Sequence, residues 1–279
     1  MGWRASPGRV FLAFPPSIRA GRAAISKLLQ SHPLARGAPP PWASAWGEDK
    51  FGPWAVLRVG EAEQRMRWIR PGRFLMGSAE DEEGRNEDEG PQHWVRIPEG
   101  FWFGEMPCTQ ALWLEVMGEN PSHFVGKDHP VEQVSWDDCQ GFFEKLEAKL
   151  GNVGGFRLPK EAEWEYACRA GTTEARYDQD LDSIAWYSAN SEERTYPVGE
   201  KKANPWGLYD MLGNVLEWCG DVTQSYAKQS LRSGPVEDPI RVIRGGSWNG
   251  YARQVRAAYR GRLRRVSRWD YLGFRLAWN

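Results

Sequence analysis

Four cysteines and four histidines are the side chains through which this 279-residue chain could perform nucleophilic, redox or metal chemistry. Cys108, Cys139, Cys168 and Cys219 form no Cys-x-x-Cys pair, and each lies in a segment that reads as buried. That pattern predicts free core thiols rather than disulfides or metal ligands. His32, His93, His123 and His129 contain no i, i+4 pair. His123 and His129 flank the loop SHFVGKDH and could meet around a metal, but exposed loop histidines are the simpler expectation. Carboxylates offer acid–base chemistry as an alternative. Glu161, Glu163 and Glu165 share the segment KEAEWEY and read as acids on a helix surface, and Glu217 and Asp221 flank Trp218, where Glu217 reads as a loop anchor.

With 36 basic and 37 acidic residues the chain carries no global field that would recruit nucleic acid or a membrane. The charge is polarised all the same. Residues 79–100 include Glu80, Asp81, Glu82, Glu83, Glu87, Asp88, Glu89 and Glu99, whereas 241–275 holds ten arginines, no lysine and a single acid, Asp270. The acidic run 80–89 reads as a solvated loop. Sixteen tryptophans beside 30 glycines and 19 prolines indicate a loop-rich domain in which aromatic packing compensates for little regular structure. There is no apolar run long enough to span a membrane, so no membrane insertion is expected. VFLAFPP is too short and too Pro-broken for a secretory signal, so a cytoplasmic location is the default expectation.

These residues need elements to position them. Residues 1–45 read as an N-terminal arm with one helix at Ile18–Ser31, and 46–279 as one domain. WAVLRV and RMRWIRPGRFLMGS alternate as half-buried strands do, with Pro71-Gly72 as a turn, and HWVRIPEGFWFGEMPCT gives two short strands around Pro98-Glu99-Gly100. One helix follows the cap Thr109 and ends at Gly118; a second follows the cap Ser135 and stops at Gly151. LPKEAEWEYACRAGT predicts a third, with Pro159 at its first position.

Seven blocks in order, GRFLMGS, NPSHF, HPVEQVSWDD, RLPKEAEWEYACRAG, NPWGLYDMLGNVLEWCGD, RVIRGGSW and GFRLA, resemble the formylglycine-generating-enzyme-type proteins. The resemblance implies an α+β, C-type-lectin-like fold with a small antiparallel sheet, few helices and long, Trp-pinned irregular loops. Lys160 stands where that pattern usually has Thr, at a capping position. Sulfatase-activating members use two cysteines between the RGGS and GFR blocks, soft ligands for copper(I). This chain has no Cys after Cys219, so the resemblance implies a non-enzyme that requires no cofactor. Sulfoxide-synthase members draw histidine ligands from an extra helical domain for which 1–45 is too short. LGNVLEW resembles a calcium loop of the family, which implies a possible structural calcium ion held by carbonyls near Leu212, Gly213 and Val215 and by the Glu217 carboxylate.

The tail RVIRGGSWNGYARQVRAAYRGRLRRVSRWDYLGFRLAWN resembles another branch of the family more closely, the variable proteins of diversity-generating retroelements. Trp42–Leu57 and RWIRPGRFLMGS resemble the upstream segment of that branch. There, error at template adenines rewrites Asn codons and leaves adenine-free codons fixed, giving a constant frame around a changing filling. The frame would be Arg244, Gly245, Gly246, Ser247, Trp248, Val255, Arg256, Ala257, Ala258, Arg260, Arg262, Gly273, Phe274 and Arg275. The ligand-binding filling, within a variable region of about 241–279, would be Asn249, Gly250, Tyr251, Gln254, Tyr259, Gly261, Leu263, Arg264, Val266, Ser267, Trp269 and Tyr271. Tyr, Trp, Arg, Gly and Ser are the residues from which antibody paratopes are built. The implied function is non-enzymatic recognition of a macromolecular ligand, a protein before a nucleic acid. The alternatives are an enzyme of the same fold with a non-cysteine mechanism, and an Arg-rich nucleic-acid binder resting on charge alone.

Overall fold

The computed structural model describes residues 39–222 and 240–279; the helix expected at Ile18–Ser31 lies outside them. Strands β1 (Ala43–Asp49), β2 (Gly52–Val59) and β3 (Ala62–Ile69) form an antiparallel meander. The period-two alternation of β2 and β3 turns Ala55, Leu57 and Met66 fully inward. Pro71-Gly72 then turns the chain out of this sheet and into a two-stranded one, β4 (Gly72–Met76) and β5 (His93–Ile97). The chain returns through β6 (Phe101–Gly104), which pairs with β3. The first sheet is completed by β7 (Phe156–Arg157) and β12 (Ala277–Trp278), in the order β1-β2-β3-β6-β12-β7. All of its pairings are antiparallel, as expected. The sheet starts at Ala43, with Trp42 buried in the core, ahead of the boundary expected at 46.

Helix α1 (Gln110–Met117) begins where the Thr109 hydroxyl accepts the Leu112 amide at 3.3 Å and ends at Gly118, whose φ of 87° suits glycine. Helix α2 (Trp136–Lys149) is capped by Ser135 and Asp138. Trp113 of α1 stacks on Phe142 of α2 at 5.3 Å, and Phe274 packs edge-on against both. Helix α3 (Glu161–Arg169) starts two residues after Pro159; the Lys160 amide is capped by Glu163 at 2.8 Å, so the proline precedes the helix instead of opening it. After the short α4 (Leu181–Ile184), the third sheet comprises β8 (Leu216–Val222), β9 (Ile240–Arg244), β10 (Arg260–Arg264) and β11 (Leu272–Gly273). Its order is β10-β9-β8-β11, with β8 and β11 parallel. Tryptophan N–H groups pin the loops: Trp218 donates to Val134, Trp136 to Cys219 and Trp278 to Gly154.

Buried ion pairs fasten the tail to this scaffold. Arg244, Arg256, Arg260 and Arg275 are all buried. Arg275 meets Glu217 at 2.7 Å, Arg260 makes a two-point contact with Glu161 at 2.7 and 2.8 Å, and Arg244 meets Glu165, which also holds Arg169 at 2.8 Å. Burial alone would raise the Glu165 carboxyl, but Arg244 and Arg169 hold it below the usual range. Glu161 and Glu165 are therefore not surface acids, and Glu163 is buried against Arg157 at 2.7 Å. The acidic run is solvated at Glu80, Asp81, Glu83 and Glu87, as expected, but not at its end. Glu89, 0% exposed, binds Arg256 at 2.7 Å, and Glu82 binds the same guanidinium.

Removing one partner of such a pair leaves the other charge buried and unpaired. Arg256→Met is expected to cost about 3–5 kcal/mol in denaturant unfolding, and Arg256→Met with Glu89→Leu considerably less. A single variant within about 1 kcal/mol of the parent would show that the pair does not hold the loop.

Candidate functional site

Gly245 and Gly246 turn the chain out of β9 with φ of 99° and 74°. A side chain on Gly246 would come within 2.9 Å of the Gln254 carbonyl, so this turn requires glycine. The turn is held from below by the Leu212–Glu217 loop: the Gly213 amide donates to Gly245 and the Trp248 amide to Asn214. From the side, Ser188 donates to the Gly250 carbonyl and Ser191 to that of Trp248. Trp248 is half-buried, not the core anchor its frame position suggests. Its indole donates to the Asp270 carbonyl at 3.0 Å and meets Phe124 edge-on at 5.5 Å.

Between this turn, β10 and the segment before β11 lies a cleft of about 370 Å³. Its floor is Leu216 and Ile243, and its wall includes Asn249, Gly250, Gln254, Tyr259, Gly261, Leu263 and Tyr271. Those seven wall residues all belong to the expected filling. The other five, Tyr251, Arg264, Val266, Ser267 and Trp269, do not line it; all but the half-buried Ser267 are exposed. Trp269 stacks parallel on Tyr271 with centroids 5.8 Å apart.

The division into buried frame and exposed filling is not complete. Leu263 and Tyr271 are half-buried against the main core, because the alternation of β10 turns residue 263 inward. Gly250 is buried, and a side chain on Gly261 would come within 2.7 Å of Ile243, its register partner. Conversely, the frame residue Arg262 is exposed, lines the cleft and pairs with Asp88. The sequence reading missed the floor residues and Arg262. It also missed Glu132, a buried carboxylate whose one oxygen accepts the Phe124 amide at 2.8 Å and so seats the ring that abuts Trp248. A lone acid between Val131 and Val134 was the only sequence signal for it.

The proposed calcium set does not fit a cation. Both Glu217 oxygens are taken by Arg275, and one also accepts the Trp164 indole at 2.7 Å, so the carboxylate's charge is already compensated. Gly213 instead braces the glycine turn together with Asn214, and Leu212 and Val215 are buried in the core. All four cysteines are free and buried; burial pushes the Cys168 thiol up to about 12 and the others well above the ordinary range, so none is poised as a thiolate. His129 bonds to Thr195 at 3.0 Å while His123 is exposed, and no cluster of three metal-ligating side chains occurs among the described residues.

Residues 57–279 match the sulfatase-modifying factor enzyme 1-like domain. The chain belongs to this family. Treponema denticola variable protein 1 is 32% identical, with a TM-score of 0.69 over 81% of this chain and 98% of that one, and bears out the resemblance to the variable-protein branch and its C-type-lectin-like fold. The formylglycine-generating enzyme of Thermomonospora curvata is 32% identical over 65% of both chains. A serine/threonine-protein kinase pkn1 of Chlamydia caviae is 32% identical over 76% of this chain but only 37% of its own length. These relatives are named for quite different activities, and the chain spans less than two thirds of the length of the enzyme and of the kinase. No helix among the described residues is long and apolar enough to cross a membrane.

Glu132 gives the site a pH signature. Burial pushes its carboxyl up to about 7, against the hydrogen bonds from Phe124 and His123 that favour the charged form. A folded pKa above the unfolded one means the folded state takes up a proton first, so this contribution to stability is present at low pH and lost as pH rises through about 7. Relative to Glu132→Gln, the parent should therefore lose about 2 kcal/mol of unfolding free energy between about pH 5 and pH 8. Parallel pH profiles would show that Glu132 does not titrate there.

Proposed function

We propose that this chain is a non-enzymatic recognition protein whose segment 249–271 presents a diversified surface to a macromolecular ligand, a protein. The observation that carries this reading is the coincidence of the expected filling with one concave site: seven of its positions wall the cleft, and four more are exposed. A central pocket surrounded by exposed Tyr, Trp and Arg is the anatomy of a protein-binding hot spot. The variable protein of Treponema denticola, similar over most of its length, supports the same branch.

Two alternatives are less well supported. A thiol mechanism would need an accessible cysteine, and all four are buried. Nucleic-acid binding would need free cations, but of the ten tail arginines four are buried against carboxylates. Three others are also paired: the exposed Arg262 with Asp88 and Arg268 with Asp138, and the half-buried Arg265 with Asp137.

The DNA around the gene tests this reading. A near-copy of the bases encoding residues 241–279 is expected beside a reverse-transcriptase gene, differing from the coding copy at adenines. Differences spread over all four bases, or formation of formylglycine from a cysteine peptide by the purified chain, would contradict it.

A further inference from the structure

The edges of the three sheets are guarded unequally. An edge strand carries a row of N–H and C=O groups open to another strand, and short length, charged side chains and proline are what keep one away. Strands β7 and β11 have two residues each. The edges β4 and β5 carry the exposed Arg73 and Arg96, and β10 carries the exposed Arg262 and Arg264. Among the described edges β1 is different: seven residues, Ala-Ser-Ala-Trp-Gly-Glu-Asp, with no Lys, Arg or Pro and with both acids at one end. Its bulge lies at the other end, between Ala43 and Ala45, and leaves the remaining register regular. Ser44, Ala45 and Trp46 are exposed, Trp46 at 39%. Ala45, Trp46 and Gly47 make no backbone hydrogen bond to any described residue outside β2.

We infer that β1 pairs with β1 of a second copy of this chain, antiparallel about a two-fold axis at Trp46, joining the two six-stranded sheets into one. Trp46 is the central residue of the seven, so this axis sets Ala43–Ala45 of one copy against Asp49–Gly47 of the other. The acids select this register. Glu48 and Asp49 then face Ser44 and Ala43, whereas an axis nearer the acidic end sets carboxylate against carboxylate. Side-chain size agrees. The far end of the Trp54 indole lies over Gly47, where a β-carbon would come within 2.7 Å of the ring. The residue that pairing brings beside Gly47 is Ala45 of the other copy, which is small enough to sit next to that ring. On the opposite face the two Trp46 rings flank the axis and cover each other's exposed surface. A strand with small residues, one central aromatic and acids confined to one end is its own complement, as an isologous interface requires. No residue of β1 lines the cleft. The dimer therefore presents the tail surface twice, and two linked sites bind a repeated ligand more tightly than one without any new contact. Only that gain rests on the proposed function; the pairing stands whatever the tail binds.

The test is sedimentation velocity of the full chain over a range of concentrations, combined with disulfide trapping. The parent is expected to show a reversible monomer–dimer equilibrium. Trp46→Lys places two like charges beside the axis and should raise the dissociation constant at least about tenfold, with the circular dichroism spectrum unchanged. Trp46→Cys should give a covalent dimer on mild oxidation, because facing residues of an antiparallel pair lie about 4.5–5.5 Å apart, within reach of a disulfide. Ser44→Cys should not, since the two copies of residue 44 stand four residues apart along the strand, roughly 13 Å. The four native cysteines are buried and do not compete. Trapping decides the case in which Trp46→Lys disturbs the sheet itself. A parent that stays monomeric at every concentration would overturn the inference. So would a dimer untouched by Trp46→Lys, or one that Ser44→Cys traps as readily as Trp46→Cys. Presence or absence of an adenine-marked near-copy leaves these results unaffected.

Discussion

Buried arginine–glutamate pairs are the constraint on which the rest of the molecule depends. Residues 240–279 contain short strands, one tight glycine turn and long irregular stretches, with no periodic apolar face that could fix them by burial alone. Their position is set by four guanidinium groups, each received by carboxylates or carbonyls from other parts of the chain. Such pairs contribute little net stability over well-packed apolar residues, but a planar five-donor fork accepts few geometries. They therefore specify where the tail lies more than how tightly it holds.

Much of this was legible in the sequence where the local chemistry has one outcome. Ser and Thr ahead of an apolar stripe capped α1 and α2 as expected. The free, buried state of the cysteines followed from their apolar surroundings. The acids were misread because periodicity assigns charged residues to the surface, and Glu161, Glu165 and Glu89 are buried only because arginines far along the chain meet them. The signal was present in another form. The acidic excess at 79–100 and the arginine excess at 241–275 are complementary, and Arg256, Arg260 and Arg262 all reach into residues 82–89. The half-buried placement of Leu263, Tyr271 and Trp248 depends on how the segments after β9 lean on the main core, which no local pattern encodes.

Within a family whose relatives include a variable protein, a formylglycine-generating enzyme and a kinase, the frame is a scaffold and function lies in what is mounted on it. Here the mounted surface is a cleft with an exposed aromatic at its rim, Trp269 stacked on Tyr271. The loop that resembles a calcium site illustrates the same separation. Its backbone braces the glycine turn, and its carboxylate seats Arg275.

The central claim is that the frame holds the tail whatever fills it. Its most direct measurement is the denaturant unfolding free energy of a variant in which Tyr251, Gln254, Arg264, Val266, Ser267 and Trp269 are all replaced by Asn. Each of these side chains is exposed or half-buried and none belongs to the core. If the frame acts alone, the variant keeps a single cooperative transition within about 1–2 kcal/mol of the parent. A loss comparable with removing a buried arginine partner, about 3–5 kcal/mol, would contradict the claim and make these residues part of what holds the fold together.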